Sequence, residues 1–548
     1  MKRYISGIVA AILLLAVIPA FGGALQVSGE VTGVWPAGDI VTVVGSVWVP
    51  VNGTLTIEQG VVIHFNVTDP FVILGDFSAL GTYDLPIKIV APNGWQGFHF
   101  RDRTNNFRFL RYVSMDETSG LPDTVVYSEN AALSIQHCEF RGAKRCLAVN
   151  GGWLRADSNY FETTNALSIA VYLDNLEDEV IDGCGDEGNS LQDNVIRVDV
   201  PDFPLGDPIL DRQTVGLQIQ RFFHICLMNN VIAVNAPRDV DAIQFRETPD
   251  HGSGFWDLNH CVATSQSVAG QARGVVNKTE GQLWIRQCTI DVSRADINEN
   301  LYSPMGVYVE GHATTLVTTT SVQVDAGEFF YNNSSEGRID VDYVLEWQSK
   351  VQVAAQLPDD PELSLQMNRH LNNLMDSGPI NYGDSIKYED PQFLLNGEWG
   401  EWRYLSDASD YYGLRASSPC IDAGETARCG LDPDNTTPDI GCFYYDHSID
   451  AVDPDYRPLP KLIEFATPYP NPFNSSTVIP LQIDHSGLLK VNVYNLVGQK
   501  VATLAEGTVN AGTINLLFQP DHLSAGLYYV TASFNGNPIA TKTIVYLK

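Results

Sequence analysis

Apolar residues over the first hundred positions come in short alternating runs, not at helical spacing. Val47-Trp48-Val49, Leu55-Thr56-Ile57, Val61-Val62-Ile63-His64-Phe65, Phe71-Val72-Ile73 and Ile87-Lys88-Ile89 are punctuated by Gly45, Gly53, Gly60, Gly75 and Gly81. Runs this short and evenly spaced, rich in β-branched and aromatic residues, predict the strands of a sandwich or of stacked rungs. Long helical patterns are scarce in the rest of the chain, which 45 Gly and 29 Pro interrupt, so the class is all-β.

A longer unit repeats through the middle: an apolar strand, a polar residue, Asn or Cys, any residue, then an apolar residue. It reads Ile135-Gln136-His137-Cys138-Glu139-Phe140, Asp157-Ser158-Asn159-Tyr160-Phe161, Leu191-Gln192-Asp193-Asn194-Val195-Ile196, Met228-Asn229-Asn230-Val231-Ile232, Leu258-Asn259-His260-Cys261-Val262-Ala263 and Ile285-Arg286-Gln287-Cys288-Thr289-Ile290. The anchors at 138, 159, 194, 230, 261 and 288 lie 21, 35, 36, 31 and 27 residues apart, the length of one solenoid coil with variable loops. No coil buries its inner face alone, so the unit requires stacked neighbours. At each bend a small polar side chain must bond to its counterpart one rung away. Asn does this through its amide, and Cys fills the slot as a small buried group. Cys138, Cys261 and Cys288 are therefore expected as inert ladder positions, not catalytic thiols.

These repeats resemble the right-handed parallel β-helix family, the architecture of pectate lyases and many bacterial surface proteins. Near the opening the likeness is carried by Asn93-Gly94-Trp95-Gln96-Gly97-Phe98-His99-Phe100 and Leu110-Arg111-Tyr112-Val113. Near the close it is carried by Asp390-Pro391-Gln392-Phe393, Ser418-Pro419-Cys420-Ile421-Asp422-Ala423-Gly424, Asp432-Pro433-Asp434 and Pro438-Asp439-Ile440-Gly441. The resemblance implies one elongated solenoid over residues 25–445. It bears on fold far more than on activity, because the scaffold hosts many functions.

Residues 446–465 read as a linker, with Asp446, Asp450, Asp453, Pro454, Asp455, Pro458 and Pro460 and few apolar partners. Beyond it, Val491-Asn492-Val493-Tyr494 alternates and Val497-Gly498-Gln499 turns the chain into Lys500-Val501. Gly526 to Ser533 and Ile539 to Leu547 read as strands around an Asn535-Gly536 hairpin. Six or seven strands within 466–548 suit a small immunoglobulin-like sandwich. The stretch resembles the type A sorting domain of the type IX secretion system. The match covers Tyr469-Pro470-Asn471-Pro472-Phe473-Asn474, Val491 to Val501 with Gly498, and Leu523-Ser524-Ala525-Gly526-Leu527-Tyr528-Tyr529-Val530. It implies the type IX machinery as a partner, and export to the outer surface or medium of a Gram-negative bacterium. The expected fold is all-β: a right-handed parallel β-helix followed by a small immunoglobulin-like β-sandwich.

Met1, Lys2, Arg3, the apolar run from Ile8 to Ile18 and the small residues Ala20, Gly22, Gly23 and Ala24 describe a secretory signal peptide over 1–24. That run is short for a membrane span, and no later stretch reaches spanning length, so no transmembrane segment is expected in the mature chain. Formal net charge is −33, or −35 once Lys2 and Arg3 leave with the signal. Within 466–548, Lys490, Lys500, Lys542 and Lys548 outnumber Asp484, Glu506 and Asp521 by one, so the body carries −36. Such a field repels nucleic acid and polyanionic glycans and attracts cations, although a solvated acidic surface explains it equally. Nine Cys leave at least one without a partner in the chain, and Cys420, Cys429 and Cys442 are the best candidates for one bridge in an exported protein. No Cys-x-x-Cys pair supports a zinc or redox site.

The strongest candidate chemistry is Asp239-Val240-Asp241 with Arg246, Glu247, Asp250 and His251. Asp239 and Asp241 on a strand point the same way, and such carboxylates can hold a cation or divide acid and base roles in sugar hydrolysis. Asp250-His251-Gly252 partly resembles the His-Gly element of polygalacturonases, without that family's other motifs in order. A polar outer face and loop is the plainer reading. Asp432, Asp434, Asn435 and Asp439 could supply oxygen ligands for calcium, the one cofactor considered, but they lack EF-hand spacing, and an Asp- and Pro-rich turn is the safer reading. Trp399, Trp402, Tyr404, Tyr411 and Tyr412 form either a sugar platform or the packing of a terminal cap. There is no Arg-rich block of the pectate-lyase kind, no phosphate loop and no nucleophilic serine elbow. Two functional classes follow: a non-catalytic adhesive or glycan-binding surface protein, and a polysaccharide lyase or glycoside hydrolase on the same scaffold.

Overall fold

The computed structural model describes residues 23–547 except 102–105, 116–119, 121, 143, 166–167, 175–188, 201–212, 222–224, 247–254, 269, 295–303, 326, 348–378, 384, 395–404, 448–462, 466–468, 470, 472, 484–486, 496–499, 510–511, 521–522, 525 and 535–536. The chain divides into two compact units, Met1–Ala451 and Val452–Lys548.

The first unit is a parallel β-helix with three faces, each strand pairing in parallel with its counterparts one coil before and one coil after. The first face runs from Gly33–Trp35 through Thr54–Glu58, Asp76–Leu80 and Arg108–Arg111 to Ile380–Tyr382. The second begins with Ala24–Glu30, Ile40–Val49, Val62–Phe65 and Ile87–Val90 and ends at Ile386–Lys387. The third runs from the latter half of Ile40–Val49 through Phe71–Ile73, Phe98–Arg101 and the first half of Thr124–Gln136 to Glu328–Asn332. Thr124–Gln136 serves the third and then the first face, bending at Asn130, whose φ is 53°. Within each strand the inward residue is apolar and its neighbours face out, as the two-residue side-chain period requires. The opening coils are filled by rings: Phe65 stacks on Trp95 at 4.3 Å, and Phe71 and Phe98 lie 5.9 Å apart.

The six anchors form one ladder along a single corner. The Cys138 amide donates to Asn159 Oδ1 (2.9 Å), the Asn159 amide to Asn194 Oδ1 (3.0 Å) and the Asn194 amide to Asn230 Oδ1 (3.1 Å). Asn230 Nδ2 reaches Cys261 Sγ at 3.9 Å, and the Cys261 and Cys288 thiols donate to Asn259 O (3.2 Å) and Arg286 O (3.1 Å). The Cys288 amide continues the series to Thr320 Oγ1 at 3.4 Å. Each anchor follows a residue of positive φ: His137, Ser158, Asp193, Asn229, His260, Gln287 and Thr319 lie between 48° and 56°. That left-handed residue turns the corner, and the side chain after it satisfies the main-chain groups the turn strands inside. The Thr320 rung, and Val113 donating to Cys138 Sγ at 3.5 Å, extend the ladder beyond the six copies legible in sequence.

The coils stop near residue 387, short of the expected 445. From Gln392 onward the chain returns along the outer side of the second face as a strap. Phe393, Ala408, Tyr412, Leu414, Cys420, Ile440, Cys442 and Tyr445 bury the outward Tyr160, Val195, Val231, Val262 and Leu345. Polar bonds fix it: the Gly441 amide donates to Thr319 O (3.1 Å), the Cys442 amide to Thr289 Oγ1 (3.0 Å) and the Tyr412 hydroxyl to Asp291 Oδ2 (2.9 Å). The expected bridge among Cys420, Cys429 and Cys442 does not form, and all three are free thiols. Each faces a different partner: Cys442 Sγ donates to His260 O, Cys429 Sγ meets Thr319 Oγ1, and Cys420 lies buried where its amide meets Ser418 Oγ. Cys226 is disulfide-bonded to a partner outside the described residues.

The second unit is a small β-sandwich. Ile463–Phe465, Thr477–Ile483 and Gly512–Phe518 form an antiparallel three-stranded sheet. Lys500–Val509, Gly487–Asn495, Gly526–Phe534 and Asn537–Tyr546 form a four-stranded one. Ile479, Leu481, Leu489, Val491, Val493, Phe518, Val530 and Ile544 fill the space between them. The segment expected as a linker is shorter than 446–465, because His447 bonds within the strap and Ile463–Phe465 is already a strand.

Candidate functional site

Asp239 and Asp241 do not form an open pair. Asp241 is fully buried, its Oδ1 accepting from Arg273 Nε at 2.6 Å and its Oδ2 from Gln244 Nε2 at 2.9 Å. Burial pushes its carboxyl above the usual range, against the pull of the Arg273 guanidinium. Asp239 is exposed and accepts the Gln271 amide at 2.8 Å. His251 lies outside the described residues.

The acidic residues 432, 434 and 439 shape turns of the strap. Asp432 Oδ2 accepts the Asp439 amide (2.9 Å), while Asp439 accepts the Asp422 amide (2.7 Å) and the Tyr445 amide. Asp434 accepts from Thr436 Oγ1 (2.7 Å) and contacts His447 Nδ1 (2.8 Å). Burial, reinforced by neighbouring carboxylates, raises Asp432 and Asp439 to about 6, while bonds from Thr436 and His447 hold Asp434 well below the carboxylate range. Among the described residues no three His, Cys, Asp or Glu side chains converge to hold a metal ion. Trp399, Trp402 and Tyr404 lie outside the described residues. Tyr412 is buried against Phe393, with ring centres 5.2 Å apart, and Tyr411 packs beside it.

The third face presents a different outward surface. One column of facing residues reads Trp48, Val72, His99, Tyr127, Ala148, Tyr172, Gln218, Gln244, Val276, Tyr308 and Tyr331, each paired with the next in register. Trp48 is 39% exposed, and His99, Tyr127, Tyr172 and Tyr331 are half-buried. The His99 and Tyr127 rings lie 5.4 Å apart, and Tyr308 stacks on Tyr331 at 5.8 Å. A flanking column is polar: Arg101, Glu129, Asn150, Asp174, Gln220, Arg246 and Lys278. The Tyr172 hydroxyl donates to Asp174 Oδ2 at 3.0 Å, and Asp174 pairs with Arg221. Sequence reading missed this column, although its signal was visible: an aromatic residue between two inward apolar ones, as in Val47-Trp48-Val49 and Phe98-His99-Phe100.

One carboxyl on this face stands apart. Glu328, in register with Met305, has a buried Oε2 without a hydrogen-bond partner among the described residues, and burial raises its pKa to about 7. A lone acid in such a state can donate a proton near neutrality.

The candidate sorting residues clasp the end of the sandwich. Asn471 Oδ1 accepts the Val545 amide (2.8 Å), the Phe473 amide donates to Val545 O (3.0 Å) and the Leu547 amide to Phe473 O (2.7 Å). The Phe473 ring is buried against Tyr546 (5.2 Å) and Phe518 (6.0 Å). The Tyr528 hydroxyl donates to Ser524 O at 2.7 Å, bracing the strand that starts at Gly526. Tyr469 is 57% exposed and pairs through its backbone with Val478, and Asn474 is exposed. Pro470, Pro472 and Gly498 lie outside the described residues.

Fold and clasp together define a parallel β-helix protein with a C-terminal sandwich. Residues 467–546 match the secretion system C-terminal sorting domain family. The chain therefore carries a sorting domain of the type IX secretion system and is a secreted or cell-surface protein that engages that machinery. No curated protein matches the chain. Among the described residues no helix is long and apolar enough to cross a membrane.

Proposed function

We propose that this is a non-catalytic glycan-binding protein, adhesive in role, displayed on or released from the outer surface of a Gram-negative bacterium after removal of residues 1–24. The observation that carries this reading is the outward aromatic column from Trp48 to Tyr172 with its polar flank. Aromatic faces pack against the apolar faces of sugar rings while neighbouring amides and carboxylates meet the hydroxyls. Among the described residues, Asp241 is buried on Arg273 and the exposed Asp239 accepts a backbone amide, so the two do not line a shared groove.

A panel of polysaccharides, scored for both retention and cleavage with the mature protein, tests this. Retention without cleavage is the expected result. Glu328 supports the second reading, a lyase or hydrolase on the same scaffold, because its carboxyl is protonated to higher pH than a free one. Reproducible cleavage that disappears in Glu328→Gln, or in Asp239→Asn with Asp241→Asn, establishes the enzyme instead.

A further inference from the structure

Building on the third face as a glycan platform, we infer that its ligand is a neutral polysaccharide chain lying along the solenoid axis. Direction follows from register. Trp48, His99, Tyr127 and Tyr172 occupy one column, so their rings are offset along the axis by multiples of the rung spacing, about 4.7–4.9 Å. A chain of sugar rings laid along the column meets one aromatic group after another, whereas a chain laid across it meets one and leaves the face.

Charge sets the ligand class. Five cations stand on the strands of this face: Arg101, Arg145, Arg246, Arg273 and Lys278. Arg101 pairs with Glu129 (3.8 Å), Arg273 with the buried Asp241 (2.6 Å) and Lys278 with Glu310 (2.8 Å). The Arg145 guanidinium lies over the Tyr172 ring at 5.0 Å. Arg221, just past its strand, is held by Asp174. Recruiting Arg273 or Arg221 to an anionic sugar would strand a buried carboxylate without its counter-ion. Only Arg246 is exposed with no carboxylate partner among the described residues, and a single cation makes no track. A uronate or sulfate chain thus finds no cationic track on a molecule of net charge −33. Hydroxyls do find partners, in the half-buried side chains of Asn150 and Gln220.

The test is affinity electrophoresis of the mature full-length protein in gels containing neutral glucan, mannan, xylan or galactan, and in parallel gels containing polygalacturonate, alginate or a sulfated glycan. Retardation by at least one neutral polymer is expected. In solution the same affinity should change less than twofold between about 0.01 and 1 M salt, where surface charge attraction is screened away. Trp48→Ala and Tyr127→Ala should each weaken it about threefold to tenfold, and Trp48→Phe should restore most of it, with thermal unfolding unchanged in all three. Retention by acidic polymers only, lost in high salt, overturns the neutral ligand while leaving glycan binding intact. Retention untouched by both alanine variants overturns the location. Retention by no polymer overturns the glycan reading itself.

Discussion

Asn194→Ala removes the middle of the corner ladder. The Asn194 side chain has no solvent exposure. Its Nδ2 donates to Ala156 O (3.0 Å), Gln192 O (2.8 Å) and Asn230 Oδ1 (3.0 Å), and its Oδ1 accepts from the amide (3.0 Å) and Nδ2 (2.9 Å) of Asn159. Alanine keeps the fold of the turn but leaves at least the Asn159 amide and one inward carbonyl without partners where water does not reach. Each stranded group costs about 1–3 kcal/mol, so the variant should lose about 2–6 kcal/mol of local stability. Asn194→Cys should lose less, about 1–2 kcal/mol, because thiols already serve as acceptors in the ladder, Cys138 Sγ for the Val113 amide and Cys261 Sγ for Asn230 Nδ2. A two-unit chain does not unfold in one step. The assay is therefore native-state hydrogen exchange, read at the amide of Asn159 and at that of Val195, which bonds to Asn159 O. Unchanged protection in the alanine variant, or equal losses in the alanine and cysteine variants, would refute the view that the amide ladder holds the corner.

Deletion of 466–548 should leave the body folded but held in the periplasm, and normal arrival at the surface or medium on cell fractionation would contradict the sorting role. Phe473→Ala should destabilise the sandwich by about 3–5 kcal/mol, measured as a lower urea midpoint for loss of its tyrosine signal; an unmoved midpoint would show that the clasp is dispensable. Maleimide labelling of the native protein should reach the half-buried Cys429 first and spare Cys138 and Cys420, whose thiols burial raises to about 12, and rapid labelling of either would mean the strap or corner opens readily. The strap should loosen as pH rises from about 4 to 6. Asp432 and Asp439 titrate near 6 folded but near 4 unfolded. The folded state therefore binds the protons more tightly, and that stabilisation, complete below about 4, is lost as pH passes through 6. His447, raised by Asp434, acts in the same direction, whereas the depressed Asp434 contributes stability that fails only at lower pH. Protection factors at Asp422, Asp439 and Tyr445 that stay flat or increase over this window would reverse the argument.

The ladder was legible because its chemistry is local: a left-handed corner residue followed by a small hydrogen-bonding side chain recurs whatever the loop lengths. The sandwich was legible from its short sequence motifs and alternating strands, although Asn471 and Phe473 clasp Val545 and Leu547 more than seventy residues away. The end of the solenoid was not. Asp390 to Gly441 has the short apolar runs of further coils, but its partners lie more than a hundred residues upstream, as in Thr319 with Glu425 and Asp291 with Tyr412. Nothing local distinguishes an apolar residue that faces inward from one that faces a returning strap. The Cys420–Cys429–Cys442 expectation failed for that reason too, because closeness in sequence was taken for closeness in space. The Asp239–Asp241 pair looked open because the strand period places both side chains outward, but the neighbouring coil supplies Arg273 directly opposite Asp241.

The second and third faces share one backbone geometry and differ in what they present outward. Along the second, the outward column runs Tyr160, Val195, Val231, Val262, Thr289 and Ser321. Its first four members are apolar on consecutive rungs, a surface that would invite sheet-to-sheet association if left bare, and the strap covers them. Along the third, no described strap residue joins the core of the column, and its ends carry half-buried rings with polar flanks instead of bare aliphatic groups. Trp48, at 39%, is the most exposed ring of the third-face column, while Ala148, Gln218, Gln244, Val276 and Tyr308 in the same column are buried. On the proposed reading a ligand covers Trp48, His99, Tyr127 and Tyr172, the part of the column that the chain itself leaves partly open. Replacing Trp48 by a polar residue should therefore raise solubility and leave thermal stability within about 0.5 kcal/mol of the parent, while weakening binding about threefold to tenfold. A large loss of stability would make the tryptophan an ordinary packing residue and return the face to scaffold.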